Sequence, residues 1–359
     1  MSDFTPSKIG KIGILTFHKS ASYGAVLQSY ALSTVVKTLF PNYETGIIDF
    51  FPPRFFKHRN KKSNQCFYDF VNCNLHLLTD EKPVLSECFS ALKDPDLPVG
   101  KIIVGSDQVW NPAITKENMA DYFADTIPQG VEKYAYAASF GVSELPVDEK
   151  NRTKITGALA GYRKIGVREK SATDICRDFG RSDAVNVIDP TLLADPGIYM
   201  KFIKPAGENS FLNGFFLSEA PGQIKVLKQV AKVTGSKAVL IGRKSPFFSF
   251  IKSYNSPAVA EFLSMFYNSS GIITDSFHGV CFSLIFQKPF IVLPSHRKER
   301  FVRIAELLDK LDLTGRIIYD HDPAAAASKM QDPVDYSKVG MIIEKWRNES
   351  LDFLKSIAE

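Results

Sequence analysis

The chain has 359 residues, 45% of them hydrophobic, with 44 lysines and arginines against 39 acidic residues. That length exceeds a single ordinary hydrophobic core and predicts two domains. The small positive surplus suits an anionic ligand but falls short of the basic footprint of a nucleic-acid binder, so nucleic acid is excluded as a partner. Five cysteines, Cys66, Cys73, Cys88, Cys176 and Cys281, lack the short paired spacings of a zinc site and read as reduced thiols of a cytoplasmic protein. Residues 1–11 are polar with no apolar signal stretch behind them, and no apolar run reaches the ~20 residues that span a bilayer. The expectation is a cytoplasmic chain whose association with a membrane, if any, is peripheral at its inner face.

Residues 11–17 read as a first strand, 24–39 carry apolar residues at helical spacing, and 46–50 read as a second strand. Residues 52–98 interrupt this rhythm with a basic run and weakly patterned helical stretches, and read as an insertion or lid. Strands resume at 101–104, 133–138, 164–167 and 186–188, closed by Asp189, Pro190 and Thr191. A second series follows at 212–217, 238–241, 271–274, 290–293 and 316–319. Linker chemistry from Asp195 to Gly207 places the boundary, with residues 1–195 as the first domain and 196–359 as the second. A final helix at about 334–357 can pack on either. The predicted fold class is α/β: two Rossmann-like doubly wound domains facing a cleft, resembling the B-type glycosyltransferase architecture, with ligands at the carboxyl ends of the strands.

Residues 271–279 (GIITDSFHG) read as a strand, a tight turn and the start of an apolar helix. Asp275 or Ser276 caps that helix, and its first-turn amides and dipole form a site for phosphate or carboxylate, with His278 and Gly279 in it. The bland alternative is a capping turn with a hydrogen-bonded histidine. Residues 103–112 end a strand in Gly105, Ser106 and Asp107 before Trp110. Gly105 permits close approach to backbone, Asp107 can act as base toward a sugar hydroxyl beside Ser106, and Trp110 offers a face for stacking a sugar. A helix cap with a core tryptophan is the alternative.

Arg168 directly follows an apolar strand and can grip a carboxylate or phosphate bidentately, or pair with its neighbour Glu169. His18, Tyr23, Gly24 and Gln28 lie after the first strand, where this architecture presents an acceptor, although the segment alone also reads as a plain loop and helix start. Residues 294–303 bring His296, Arg297, Lys298, Arg300 and Arg303 to the next helix; most form a solvated face, with Arg300 and Arg303 the candidates to reach a phosphate. The chain has no GxGxxG and no Walker sequence, which removes support for dinucleotide and P-loop chemistry.

Taken together, GAVLQSYAL, VGSDQVWNP, GVREKSA, VIDPTLL and ITDSFHGVCFSLIFQKPF, in that order across residues 11–310, resemble the polysaccharide pyruvyl transferase family. SDQVWN and TDSFHG are the specific segments. The resemblance implies phosphoenolpyruvate as donor and, as acceptor, a hexose of a cell-surface polysaccharide or its lipid-linked precursor, with no metal or other cofactor. In described members an arginine after a strand and an Arg-x-His element hold the donor. These correspond to Arg168 and to Ser276, Phe277 and His278, where Ser276 departs from the arginine. His278 would then protonate C3 of the enol phosphate and Asp107 would deprotonate the sugar, with the two domains closing to bring Arg168 and His278 together on the donor. A helix N-terminus disfavours imidazolium whereas a bound phosphate dianion favours it, so the acid would be charged by its own ligand. Two rival readings stay open: a nucleotide-sugar-dependent glycosyltransferase of the same architecture, and a catalytically inactive glycan-binding member.

Overall fold

A computed structural model describes residues 8–53, 62–92, 97–206, 211–218, 222–242, 251–295 and 298–358, the backbone alone for 298–300. The chain divides into two compact units: residues 1–61, 68–194 and 346–359 form the first, and 62–67 with 195–345 form the second.

The first unit is built on a six-stranded sheet: β1 (Lys11–Leu15), β2 (Glu44–Ile47), β3 (Val99–Val104), β4 (Glu132–Ala138), β5 (Tyr162–Val167) and β6 (Val185–Asn186). Its order is β2-β1-β3-β4-β5-β6 and every pairing is parallel. Parallel strands need crossovers, and the helices Tyr23–Leu39, Glu149–Ala160 and Lys170–Asp178 supply three of them. Because both faces of such a sheet are covered, the later residues of its strands form apolar runs: Ile12, Ile14 and Leu15 of β1, and Ile102, Ile103 and Val104 of β3, are all fully buried. The order reverses between β1 and β3, so the carboxyl ends of those strands open a crevice.

The second unit has a five-stranded sheet: β7 (Phe211–Phe215), β8 (Lys237–Ile241), β9 (Lys252–Tyr254), β10 (Gly271–Thr274) and β11 (Phe290–Val292). The order is β11-β10-β7-β8-β9, again all parallel, and it reverses between β7 and β10. The strand expected at 316–319 is instead one bridge, Ile317 to Val292, after a 3-10 turn at Thr314–Arg316. Arg316 explains this: its buried guanidinium donates to the carbonyls of Lys329, Asp332 and Pro333 and pins the segment to the end of the Pro323–Gln331 helix. Sequence patterning missed β9, whose three residues are too short to show a period.

The segment read as an insertion or lid contributes to the first unit's core. Leu85, Cys88 and Phe89 of the helix Leu85–Ala91, and Leu92 after it, are buried there; residues 54–61 and 93–96 lie outside the described residues. The last helix, Tyr336–Lys355, passes from the second unit into the first, where the Ser350 hydroxyl accepts from the Ile188 amide at 3.0 Å and Arg347 donates to the Leu192 carbonyl. None of the five cysteines is in a disulfide, and burial pushes the Cys88 and Cys176 thiols up to about 12. Among the described residues no helix is long and apolar enough to cross a membrane.

Candidate active site

In the first unit, the strand ends on either side of the β1/β3 reversal are locked to each other by side chains. Gln28, fully buried on the first helix, donates to the Thr16 hydroxyl at 2.8 Å; that hydroxyl donates to the Ser106 carbonyl at 3.0 Å, and the Ser106 hydroxyl donates to the Ala137 carbonyl at 2.9 Å. The turn that follows puts Asp107 at φ 74, with its carboxylate accepting the Gln108 amide at 2.8 Å. Gly105 has φ 116, and a Cβ there would sit 2.2 Å from the Tyr136 carbonyl, so close packing of two strands requires the glycine.

Arg168, at the end of β5, lies among three carboxylates. It reaches Asp189 at 3.1 Å, Asp107 at 3.5 Å and Glu169 at 3.8 Å, and its side chain is 1% exposed. Burial alone would strip a guanidinium of its proton more easily, yet the three carboxylates hold Arg168 above its ordinary value. The acids are themselves anchored, Glu169 by the Ser139 hydroxyl at 2.7 Å and the Gly141 amide at 3.1 Å, Asp189 by the amide and hydroxyl of Thr191. A second buried charged group joins β1 to β2: His18 Nε2 faces Asp49 at 2.9 Å, and Lys19 bridges Asp49 at 2.6 Å and Glu81 at 2.9 Å. Burial would raise the Asp49 carboxyl, but hydrogen bonds and charge from His18 and Lys19 hold it below its ordinary value.

This geometry corrects several sequence expectations. Trp110 is fully buried, stacked on Phe123 at 5.3 Å and 6° and flanked by Phe140 and Tyr162, so it presents no face to a sugar. His18 has both ring nitrogens turned to oxygens that only accept, the Thr16 carbonyl and Asp49, and is 1% exposed, so it is not displayed to an acceptor. Tyr23, Gly24, Gln28, Gly105 and Ser106 are likewise buried, and Gln28, Gly105 and Ser106 belong to the scaffold under the Asp107 turn. Arg168 is spent on carboxylates of its own unit rather than displayed for a donor. Of the first-unit candidates, Asp107 keeps a partly exposed side chain, at 15%.

In the second unit the helix Phe277–Ile285 starts directly after β10, beside the β7/β10 reversal. Ser276 is its N-cap, its hydroxyl accepting from the Gly279 amide at 3.3 Å. Gly279 lets the helix approach the strand: a Cβ would lie 2.3 Å from the Thr274 hydroxyl oxygen. That close approach is what requires glycine at this position. His278 is buried on the first turn, edge-on to Phe277 at 5.3 Å, and the Arg303 guanidinium stands 5.7 Å from the centre of the Phe277 ring.

Asp275 is not offered to a donor either. One oxygen accepts the Leu217 amide at 2.6 Å and the other accepts the Ser218 amide at 3.0 Å and the Ser218 hydroxyl, tying the loop after β7 to the turn after β10. Burial raises its carboxyl above the ordinary value despite those three donors. His296, Arg297 and the Arg300 side chain lie outside the described residues.

Sequence reasoning passed over Asp49 and Asp189 as site-forming acids. The available signal was an acid directly after an apolar pair, Ile47-Ile48 before Asp49 and Val187-Ile188 before Asp189, since such a residue emerges at a strand's carboxyl end.

Comparison with known folds places these two units in familiar company. An O-GlcNAc transferase variant from Thermobaculum terrenum aligns over 97% of this chain and 65% of its own, at 11% identity and TM-score 0.53. A UDP-N-acetylglucosamine 2-epimerase aligns over 94% of this chain and 91% of its own, at 12% and 0.52. A UDP-glucosyltransferase from Polygonum tinctorium aligns over 99% of both chains, at 10% and 0.52. The chain thus spans just under two thirds of the first of these proteins and nearly all of the others. Identities this low show the fold alone, which is that of B-type glycosyltransferases and related epimerases. The comparison with curated proteins finds no match. Sequence is more specific than fold: residues 23–297, which carry both the Asp107 turn and the His278 helix, match the polysaccharide pyruvyl transferase model. By that match over most of its length, the chain belongs to the polysaccharide pyruvyl transferase family.

Proposed function

We propose that the chain moves the pyruvyl group of phosphoenolpyruvate onto two hydroxyls of a hexose in a cell-surface polysaccharide or its lipid-linked precursor, forming a cyclic ketal and releasing phosphate. The observation that carries this reading is His278 on the first turn of a helix that begins where the second sheet reverses, within the segment that matches the family. A helix start there supplies backbone donors and a positive dipole end for the donor's anionic groups.

Adding an alcohol across the enol requires a proton at C3 and relief of positive charge at C2. A phosphate dianion beside His278 favours the imidazolium, which delivers the C3 proton as the first sugar hydroxyl bonds to C2. A base takes the proton from that hydroxyl, and in the first unit Asp107, its carboxylate held by the Gln108 amide and by Arg168, has the chemistry for that role. The second hydroxyl then bonds to C2 as the C2–O bond to phosphate breaks, its proton leaving on the phosphate, and the ketal closes with the pyruvyl carboxylate free. Arg168 is a positioning residue here, and Arg303 stands beside Phe277 at the start of the donor helix. A lipid-linked acceptor would bring this cytoplasmic reaction to the inner face of the membrane.

The test is incubation with phosphoenolpyruvate and hexose-containing glycans, followed by phosphate release and mass analysis for a pyruvate ketal, with UDP-sugars as parallel donors. Ketal formation supports the proposal. Sugar transfer from a UDP-sugar without reaction of phosphoenolpyruvate would replace it with a glycosyltransferase, and glycan binding without either turnover would make the chain a binding member.

A further inference from the structure

The second unit contains a cavity remote from its strand carboxyl ends. In the sheet register Phe211 is level with Lys237, Val239 with Lys252 and Ile241 with Tyr254. Level neighbours, and every second residue along a strand, point to the same side, so Phe211, Val239 and Tyr254 share one face with Lys237 and Lys252. The helix Gln223–Val233 covers the opposite face, packing Val226, Leu227 and Val230 on Leu212 and Leu240. On the shared face the helix Val259–Asn268 lies over β7, where Asn213 donates to the Met265 carbonyl at 2.8 Å and Phe215 packs on Phe262 and Phe266.

Next to that helix, over β8 and β9, the structure leaves a cavity of about 790 Å³. Its floor is Phe211, Val239 and Tyr254, and its walls include Phe202, Ala260 and Met265. That volume falls in the range of about 300–1,000 Å³ typical of small-molecule sites. Phe211 and Lys237 are the first residues of their strands, whereas Asp275 and His278 follow the last residue of β10, so this cavity is distinct from the donor helix.

Its chemistry is two-part. Lys204, Lys237 and Lys252 border the apolar floor, all three are exposed, and among the described residues none of them forms an ion pair. Glu261 is the acid beside them. An apolar hollow with a cationic border complements one molecule with an apolar body and a compact anionic head. Inorganic phosphate would gain nothing from the floor, a neutral amphiphile nothing from the lysines, and a bilayer surface cannot enter a concave cavity. We propose that this cavity binds a single-chain amphiphilic phosphate, as a free molecule, at a second site of the chain.

The test is calorimetric titration of the full chain with dodecyl phosphate below its micelle concentration, beside inorganic phosphate and dodecyl maltoside. Ala260→Trp fills the cavity from the helix, and the triple variant Lys204→Gln, Lys237→Gln, Lys252→Gln removes the border charge, including the Lys252 ammonium that stands 4.9 Å from the centre of the Tyr254 ring. The expected result is one dodecyl phosphate per chain. Affinity should fall by about tenfold or more in each variant, about 1.4 kcal/mol, with no heat from inorganic phosphate. Equal binding of dodecyl maltoside, unchanged affinity in the triple variant, or absence of binding overturns the proposal. Sedimentation with phosphatidylglycerol vesicles in the absence of monomer binding also overturns it, in favour of a membrane surface contact.

Discussion

Replacing Arg168 by methionine should cost the first unit more than any surface substitution, and the structure gives the size. The side chains of Arg168, Glu169 and Asp189 are each 1% exposed, and Asp107 is 15% exposed. Methionine keeps most of the volume but leaves the acids without their cation. Removing one partner of a buried ion pair costs about 3–5 kcal/mol, because the other charge remains desolvated. For a unit of this size each kcal/mol lowers the midpoint by about 2–4 °C, so the expected fall is roughly 6–20 °C. The two tryptophans, Trp110 and Trp346, both lie in the first unit, so indole fluorescence during a thermal ramp reports its unfolding separately from the second. Arg168→Lys keeps the charge, loses the fork that spans Asp189 and Asp107, and should fall between wild type and Arg168→Met. A midpoint for Arg168→Met within about 2 °C of wild type would refute the claim that these carboxylates depend on it.

Three further outcomes follow from the same geometry. His278→Asn keeps a polar side chain on the first helical turn but cannot donate as a cation, so turnover should drop by about 10²-fold or more while donor binding survives, as read by single-turnover kinetics and donor titration. Trp110→Ala should destabilise the first unit by about 3–5 kcal/mol in urea melts. Trp110→Phe should leave the acceptor KM unchanged, and a KM rise without a stability loss would restore a sugar platform. Because the folded-state value of Asp49 lies below the ordinary 3.8, its contribution to stability is present above 3.8 and is lost as the pH falls through the folded-state value. The stability advantage of wild type over Asp49→Asn should therefore be full at neutral pH and shrink in acid; an advantage that stays constant down to about pH 3 would contradict the pairing with His18 and Lys19.

Periodicity in the sequence located ten of the eleven strands found among the described residues to within a few residues, because strands covered on both faces are short apolar runs bounded by turn chemistry, as at 101–104 and 271–274. The same logic puts Asp107, Arg168 and Asp275 after strand ends, where this class of fold gathers its chemistry. What the chain order alone determined, then, was the α/β class, the order of elements and the family to which the SDQVWN and TDSFHG segments belong. It did not determine which polar groups face a ligand. Trp110 is a core residue because Phe123, Phe140 and Tyr162, from separate segments, converge on its ring; Arg168 is spent on acids because Asp107 and Asp189 arrive from the turns after β3 and β6. Those partners are 13 to 61 residues away along the chain, and only strand order brings them within 4 Å of a guanidinium or 6 Å of an indole. Local propensity acts over a few residues, so exposure and charge pairing at a strand end are properties of the tertiary structure.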